Sequence, residues 1–276
     1  MSPSHSCIRR KAAAAALLAL CAGTSSAFAQ SLWSSATGTW STGANWSPAG
    51  APVSGATTIL EFPQAAVAYS ATNDIDGDFT LNRLIFSGNN TGGASLLRSG
   101  TQSLRFAANG GVGPEIQFSA IGGSRVISIP LVLEADTSVT SSITNGTNNL
   151  TINGGVSGAG KLVINYTTTG AAVILGGTNT HAGTQVIDGI LALGSSATPS
   201  LGAGALTLSG GRVIATASGA NYANTLNIAG NATVFRSTTN QPLGFTNGGR
   251  RQRAHAGGHW HAHAGLRGER CRGQHL

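Results

Sequence analysis

Gly158-Ala159-Gly160-Lys161-Leu162-Val163-Ile164 and Gly202-Ala203-Gly204-Ala205-Leu206-Thr207-Leu208 decide the fold, because each sets a Gly-x-Gly turn directly before a short alternating apolar strand. Asn224-Thr225-Leu226-Asn227-Ile228 echoes Asn149-Leu150-Thr151-Ile152 in the same way. Strand period with turn punctuation continues on both sides of these stretches. Apolar alternation marks Leu84-Ile85-Phe86, Leu104/Phe106, Ile116/Phe118, a run from Val126, Leu131/Leu133 and Leu162/Ile164. It resumes at Val173/Leu175, Ile190/Leu191/Leu193, Val213/Ala215 and Val234. Helical stripes are absent outside the N-terminal leader, and Glu and Lys are scarce. Short strands of this kind build either a sandwich or jelly roll, or a solenoid. Self-similarity favours the solenoid, in which each coil buries its inward residues against its neighbours and no repeat stands alone.

Composition narrows the function classes. Charged residues make up only 9% of the chain, against about 25% in ordinary globular chains. The formal charge of +7 is concentrated at the two ends. Residues 30–248 carry Arg83, Arg98, Arg105, Arg125, Lys161, Arg212 and Arg236 against Glu61, Asp74, Asp76, Asp78, Glu115, Glu134, Asp136 and Asp188. The body is therefore nearly neutral, and the basic balance gives no reason to expect nucleic acid as a partner. Cys7, Cys21 and Cys271 all lie outside that body, which must hold together by burial and backbone hydrogen bonds.

The segment 1–29 reads as a signal peptide. Arg9, Arg10 and Lys11 precede the apolar run Ala12 to Ala22, which is too short to span a bilayer. Ala27-Phe28-Ala29 supplies small residues for cleavage between Ala29 and Gln30. Leu20 before Cys21 speaks against a lipoprotein signal, where a small residue is needed. Export is thus expected, with the product at the cell surface or, if truncated, in the periplasm.

The stretch 158–194 resembles the autotransporter-associated β-strand repeat of bacterial passenger domains. Its core runs Leu175-Gly176-Gly177-Thr178-Asn179-Thr180-His181-Ala182-Gly183-Thr184-Gln185-Val186, followed by Ile187-Asp188-Gly189-Ile190-Leu191-Ala192-Leu193-Gly194. The residues that carry the match are Leu175, Asn179, Thr180, Gly183, Val186, Gly189, Leu191, Leu193 and Gly194. His181 stands where an aromatic is usual, and the gap after it is one residue shorter than in many copies. Trp33, Trp40, Asn45-Trp46, Gly50-Ala51-Pro52 and Phe62 look like the opening coil of such proteins. The resemblance implies an all-β, right-handed parallel β-helix (β-solenoid) fragment of the pectin-lyase-like, passenger-domain type. It also implies an adhesive or structural stalk whose partner is a host or matrix surface or a glycan. Such a protein needs an outer-membrane translocator barrel, whose strands alternate over about ten residues; no such pattern precedes Leu276.

Candidate chemistry is thin. Asp74-Ile75-Asp76-Gly77-Asp78 suggests a calcium loop, but Gly77 and Ile85 stand at the wrong positions, so a polar turn into Phe79-Thr80-Leu81 is expected. His181 is the body's one histidine and no nucleophile elbow accompanies it. The acids are too dispersed for a polysaccharide lyase. No catalytic residue, cofactor or metal site is therefore assigned; the alternatives are a β-helix enzyme acting on polysaccharide and a glycan-binding module.

Beyond residue 248 the composition turns to Arg, His, Ala and Gly, with His255, His259, His261 and His263 close together. His259-Trp260-His261 is encoded CAY-TGG-CAY, which reads Thr-Gly-Thr from the second base with C at the degenerate positions. Ala254-His255-Ala256 and Ala262-His263-Ala264 each permit Leu-Thr-Leu in that frame, a continuation of the repeat. Residues 249–276 are accordingly expected to be a disordered, out-of-frame peptide that follows a frameshift. A stop codon shortly after residue 248 in the other frame would refute this.

Overall fold

The computed structural model describes residues 28–88, 91–120, 122–143, 149–167, 170–193, 201–215, 221–230, 233–236, 244–247 and 250–253. The described chain is all β apart from a 3-10 turn at Gly43–Asn45, and its strands stack in parallel as a β-solenoid. Each coil contributes one strand to a first sheet and one to a second. Arg83–Gly88 and Ala94–Arg98 are one such pair, with Leu104–Phe106 adding a strand to a third sheet.

Period-2 alternation places the core. In Thr58–Pro63 and Leu162–Asn165 every second residue is buried, and in Arg83–Gly88 Leu84 and Phe86 are. Register then stacks like on like: Phe62 pairs with Phe86 and Phe86 with Phe118. Ring centroids of Phe62 and Phe86 lie 6.3 Å apart, those of Phe86 and Phe118 5.1 Å, and those of Phe118 and Tyr166 5.3 Å. One continuous cluster of buried side chains runs from Trp33 to Tyr222. This is how a body with few aromatics secures a core: each ring is shared between coils.

The cross-section changes along the axis. Phe79–Leu81, Leu104–Phe106, Leu131–Leu133 and Val156–Gly158 form the third sheet. Among the described residues, that face carries no further strand of the sheet after Gly158 and continues as a bridge between Val156 and Asn179. Coils shorten at the same point. In the first sheet Thr137 pairs with Leu162, Leu162 with Thr184 and Thr184 with Leu206. The last two steps along the chain are equal, and both are shorter than the first.

The structure alters three expectations drawn from the sequence. Val126 is the outward residue of Arg125–Ile127, and the inward ones are Arg125 and Ile127. The echo between Asn224 and Asn149 joins different faces, because Leu226–Ile228 lies in the first sheet and Leu150–Ile152 in the second. The composition boundary at 248 falls inside a paired unit, since Gly244–Asn247 runs antiparallel to Arg250–Arg253. Residues 1–27, Gly194 and residues 254–276 lie outside the described residues, and with them most of the expected signal peptide and the histidine-rich tail.

Candidate functional site

The motif residues come together as the wall and corner of the short coils. Leu175, Val186, Leu191 and Leu193 are buried in the core. Asn179 is 2% exposed at the corner; its Oδ1 accepts from Val156 N at 3.0 Å, and its Nδ2 donates to Gly176 O at 3.4 Å. Thr180 N donates to Val156 O at 2.7 Å. The amide of Asn179 thus stands in for a strand partner on the face where the third sheet has stopped. Gly183 (φ 154°) and Gly189 (φ 90°) take conformations that L side chains rarely adopt. A Cβ on Gly189 would stand 2.0 Å from the Tyr166 carbonyl oxygen.

His181, expected as a turn residue, is buried in that corner at 0% exposure. Thr184 Oγ1 donates to Leu201 O at 2.9 Å, so its single proton is spent there. His181 Nε2, 2.9 Å from the same oxygen, is then the donor, so the ring carries a proton on Nε2. Burial pushes the imidazole pKa down, partly offset by the Val156 backbone. Asn224 extends the corner to the next coil, donating to Gly202 O at 2.9 Å and Gly204 O at 2.6 Å. A ring sealed this way meets no solvent.

The acids of the outer faces are held in ladders across coils. Glu61 accepts from Gln30 Nε2 on one side and from Ser87 Oγ on the other. Glu115 pairs with Arg83 Nε at 3.0 Å and accepts from Thr140 Oγ1 at 2.5 Å. Arg105 bridges Asp78 (3.2 Å) and Glu134 (2.6 Å). Hydrogen bonds from Ser103 and Arg105 hold the Asp78 carboxyl below its usual range. The aspartates of the suspected calcium loop are drawn apart: Asp74 binds the Ser41 hydroxyl and amide, and Asp78 binds Ser103. Among the described residues no three His, Cys, Asp or Glu side chains group as a metal site.

Gln30, at the expected cleavage junction, lies with Ala29 in Ala29–Trp33, the first strand of the first sheet, where Gln30 pairs with Ile59. Sequence reading missed one feature altogether. Arg125 is fully buried, and burial lowers its pKa. Its inward parity with Ile127 was the available signal. No known protein family, curated protein or solved structure matches this chain.

Proposed function

We propose that residues 30–248 form the opening segment of a rigid exported stalk of the autotransporter-passenger kind. In this reading the stalk is structural or adhesive, not catalytic. One observation carries the reading: a single core runs the length of the coils while outer-face acids are tied to polar and basic side chains of adjacent coils. Such a surface resists bending and leaves few carboxylates free to line a cleft. The signal peptide delivers the chain across the inner membrane. A translocator barrel supplied elsewhere carries it outward, and surface loops meet a host, matrix or glycan partner.

The test uses the full chain with its own leader in a Gram-negative host. Export with Gln30 as the new N-terminus is expected, as is a β-rich product without turnover on a polysaccharide panel. Retention of Met1 in the cytoplasm would overturn export, and depolymerisation of any polysaccharide would overturn the stalk in favour of an enzyme. A glycan-binding module has one observation in its favour, the outward row Gln117, Thr140 and Asn165 on consecutive coils. Saturable glycan binding that is lost on replacing Thr140 and Asn165 would establish it.

A further inference from the structure

Among the described residues Arg125 is the one Arg, Lys, Asp or Glu side chain that is fully buried. It opens Arg125–Ile127 in the second sheet and points inward, between Ala94 of the preceding coil and Leu150 of the next. Nη1 donates to Gly123 O at 2.6 Å and to Ser124 O at 3.2 Å. The guanidinium carbon lies 5.8 Å from the Phe86 ring centroid. Nε and Nη2 are buried and meet no protein acceptor.

These contacts leave the charge itself unanswered. Carbonyl dipoles and one aromatic face stabilise part of a guanidinium, but neither supplies a negative charge, and an uncompensated buried ion costs several kcal/mol. None of the ion pairs among the described residues includes Arg125. The Tyr69 phenol is close enough for the two charges to interact, yet its hydroxyl donates to Pro63 O at 2.8 Å and so remains protonated. The inward row containing Arg125 reads Tyr69, Ala94, Arg125, Leu150, Val173 and Leu191 along the stack. Its smallest member sits directly beside its longest, which gives the guanidinium its room.

We propose that the solenoid interior binds a small monovalent anion, of halide size, at the Nε and Nη2 edge of Arg125. A water molecule would satisfy the two donors and leave the charge; a halide does both. The side chain is fully enclosed, so a small ion suits the site better than a larger oxyanion. The ion is captured as the coils close and then acts as a structural counter-ion. This inference is independent of whether the stalk reading holds.

The test is unfolding of the full chain in chloride or bromide against gluconate at constant ionic strength. Above the dissociation constant, each tenfold rise in halide should raise the folded-to-unfolded ratio tenfold. Arg125→Met should lose that dependence while keeping its stability in gluconate, and bromide should show anomalous scattering beside Nε and Nη2 in crystals. Equal stability of the wild-type chain in halide and gluconate would overturn the proposal. So would an unchanged halide response in Arg125→Met, or a water at that edge in crystals of protein refolded in bromide. If Arg125→Met does not fold, the wild-type halide series and the bromide signal still decide the matter.

Discussion

Removing the Phe86 ring should weaken the solenoid more than any outer-face change. Phe86 is fully buried, with ring neighbours at 6.3 Å (Phe62) and 5.1 Å (Phe118) and the Arg125 guanidinium at 5.8 Å. Truncating a buried Phe to Ala costs about 3–5 kcal/mol in transfer and cavity terms. Each aromatic pair adds about 0.5–1.5 kcal/mol beyond area burial. Both contacts vanish in Phe86→Ala, so a loss near the upper part of that range, ~4–5 kcal/mol, is expected. Phe86→Leu keeps most of the volume and forfeits the ring contacts, for about 1–2 kcal/mol. Urea unfolding followed by tryptophan fluorescence reads both, since Trp33, Trp40 and Trp46 are buried in the coils at the N-terminal end. Amide exchange gives the spatial check. Neighbours couple only to neighbours in a solenoid, so protection should fall in Thr58–Pro63 and Glu115–Ala120 and hold in Leu206–Leu208. A loss below ~1.5 kcal/mol in Phe86→Ala, or equal losses for Ala and Leu, would refute the shared-ring account.

Gly189→Ala should cost about 2–4 kcal/mol by chemical denaturation, because φ is 90° and the new Cβ would stand 2.0 Å from Tyr166 O. His181 has a folded pKa below its unfolded value of 6.5, so the unfolded chain takes up the proton first. Its contribution is intact above that unfolded value and is lost as pH falls below it; a melting series from about pH 7.5 to about pH 5 should show a steeper decline in the wild type than in His181→Gln. Arg105→Gln should cost less than about 1 kcal/mol, and less still in high salt, because the Asp78 and Glu134 pairs are more than a third exposed.

Legibility in the sequence followed the size of the inward residues. Strands with two inward aliphatics, such as Leu131–Leu133 and Leu162–Asn165, announce themselves by alternation. Tyr69–Asn73 and Thr137–Ser141 do not, because Ala71, Asn73 and Thr137 hold buried positions there. Those residues are small or polar because the stack, not the strand, sets the available volume. Ala71 lies beside Leu96, and Ala94 beside Arg125. Arg125 hid behind Val126 for the same reason, since a charge at an inward position inverts the apparent parity. The corner was legible as a motif but not as a buried site. Asn179, His181 and Thr184 look like turn residues, and only coil-on-coil packing removes them from solvent. The change in cross-section also explains why the repeat pattern was clear only from Gly158 onward, where the coils in the first sheet become shorter.

The two ends of the first sheet differ in a way that gives the solenoid a direction. At the N-terminal end Trp46–Ser47 pairs antiparallel with Ala29–Trp33, so the edge that would receive another parallel strand is already occupied. Trp46 Nε1 donates to Trp40 O at 2.9 Å, and its ring meets Trp33 at 5.0 Å and Trp40 at 5.8 Å, both edge to face. Three indoles thereby close the core at 0–2% exposure. At the far end Leu226–Ile228 stacks in register on Leu206–Leu208, yet Leu226 is only half-buried and Ile228 is 38% exposed, where Leu206 and Leu208 are fully buried. Inward positions that are dry in one coil are thus wetter in the next. Among the described residues the first sheet is therefore capped by indoles at its N-terminal end, and its inward side chains lose burial toward Leu226–Ile228.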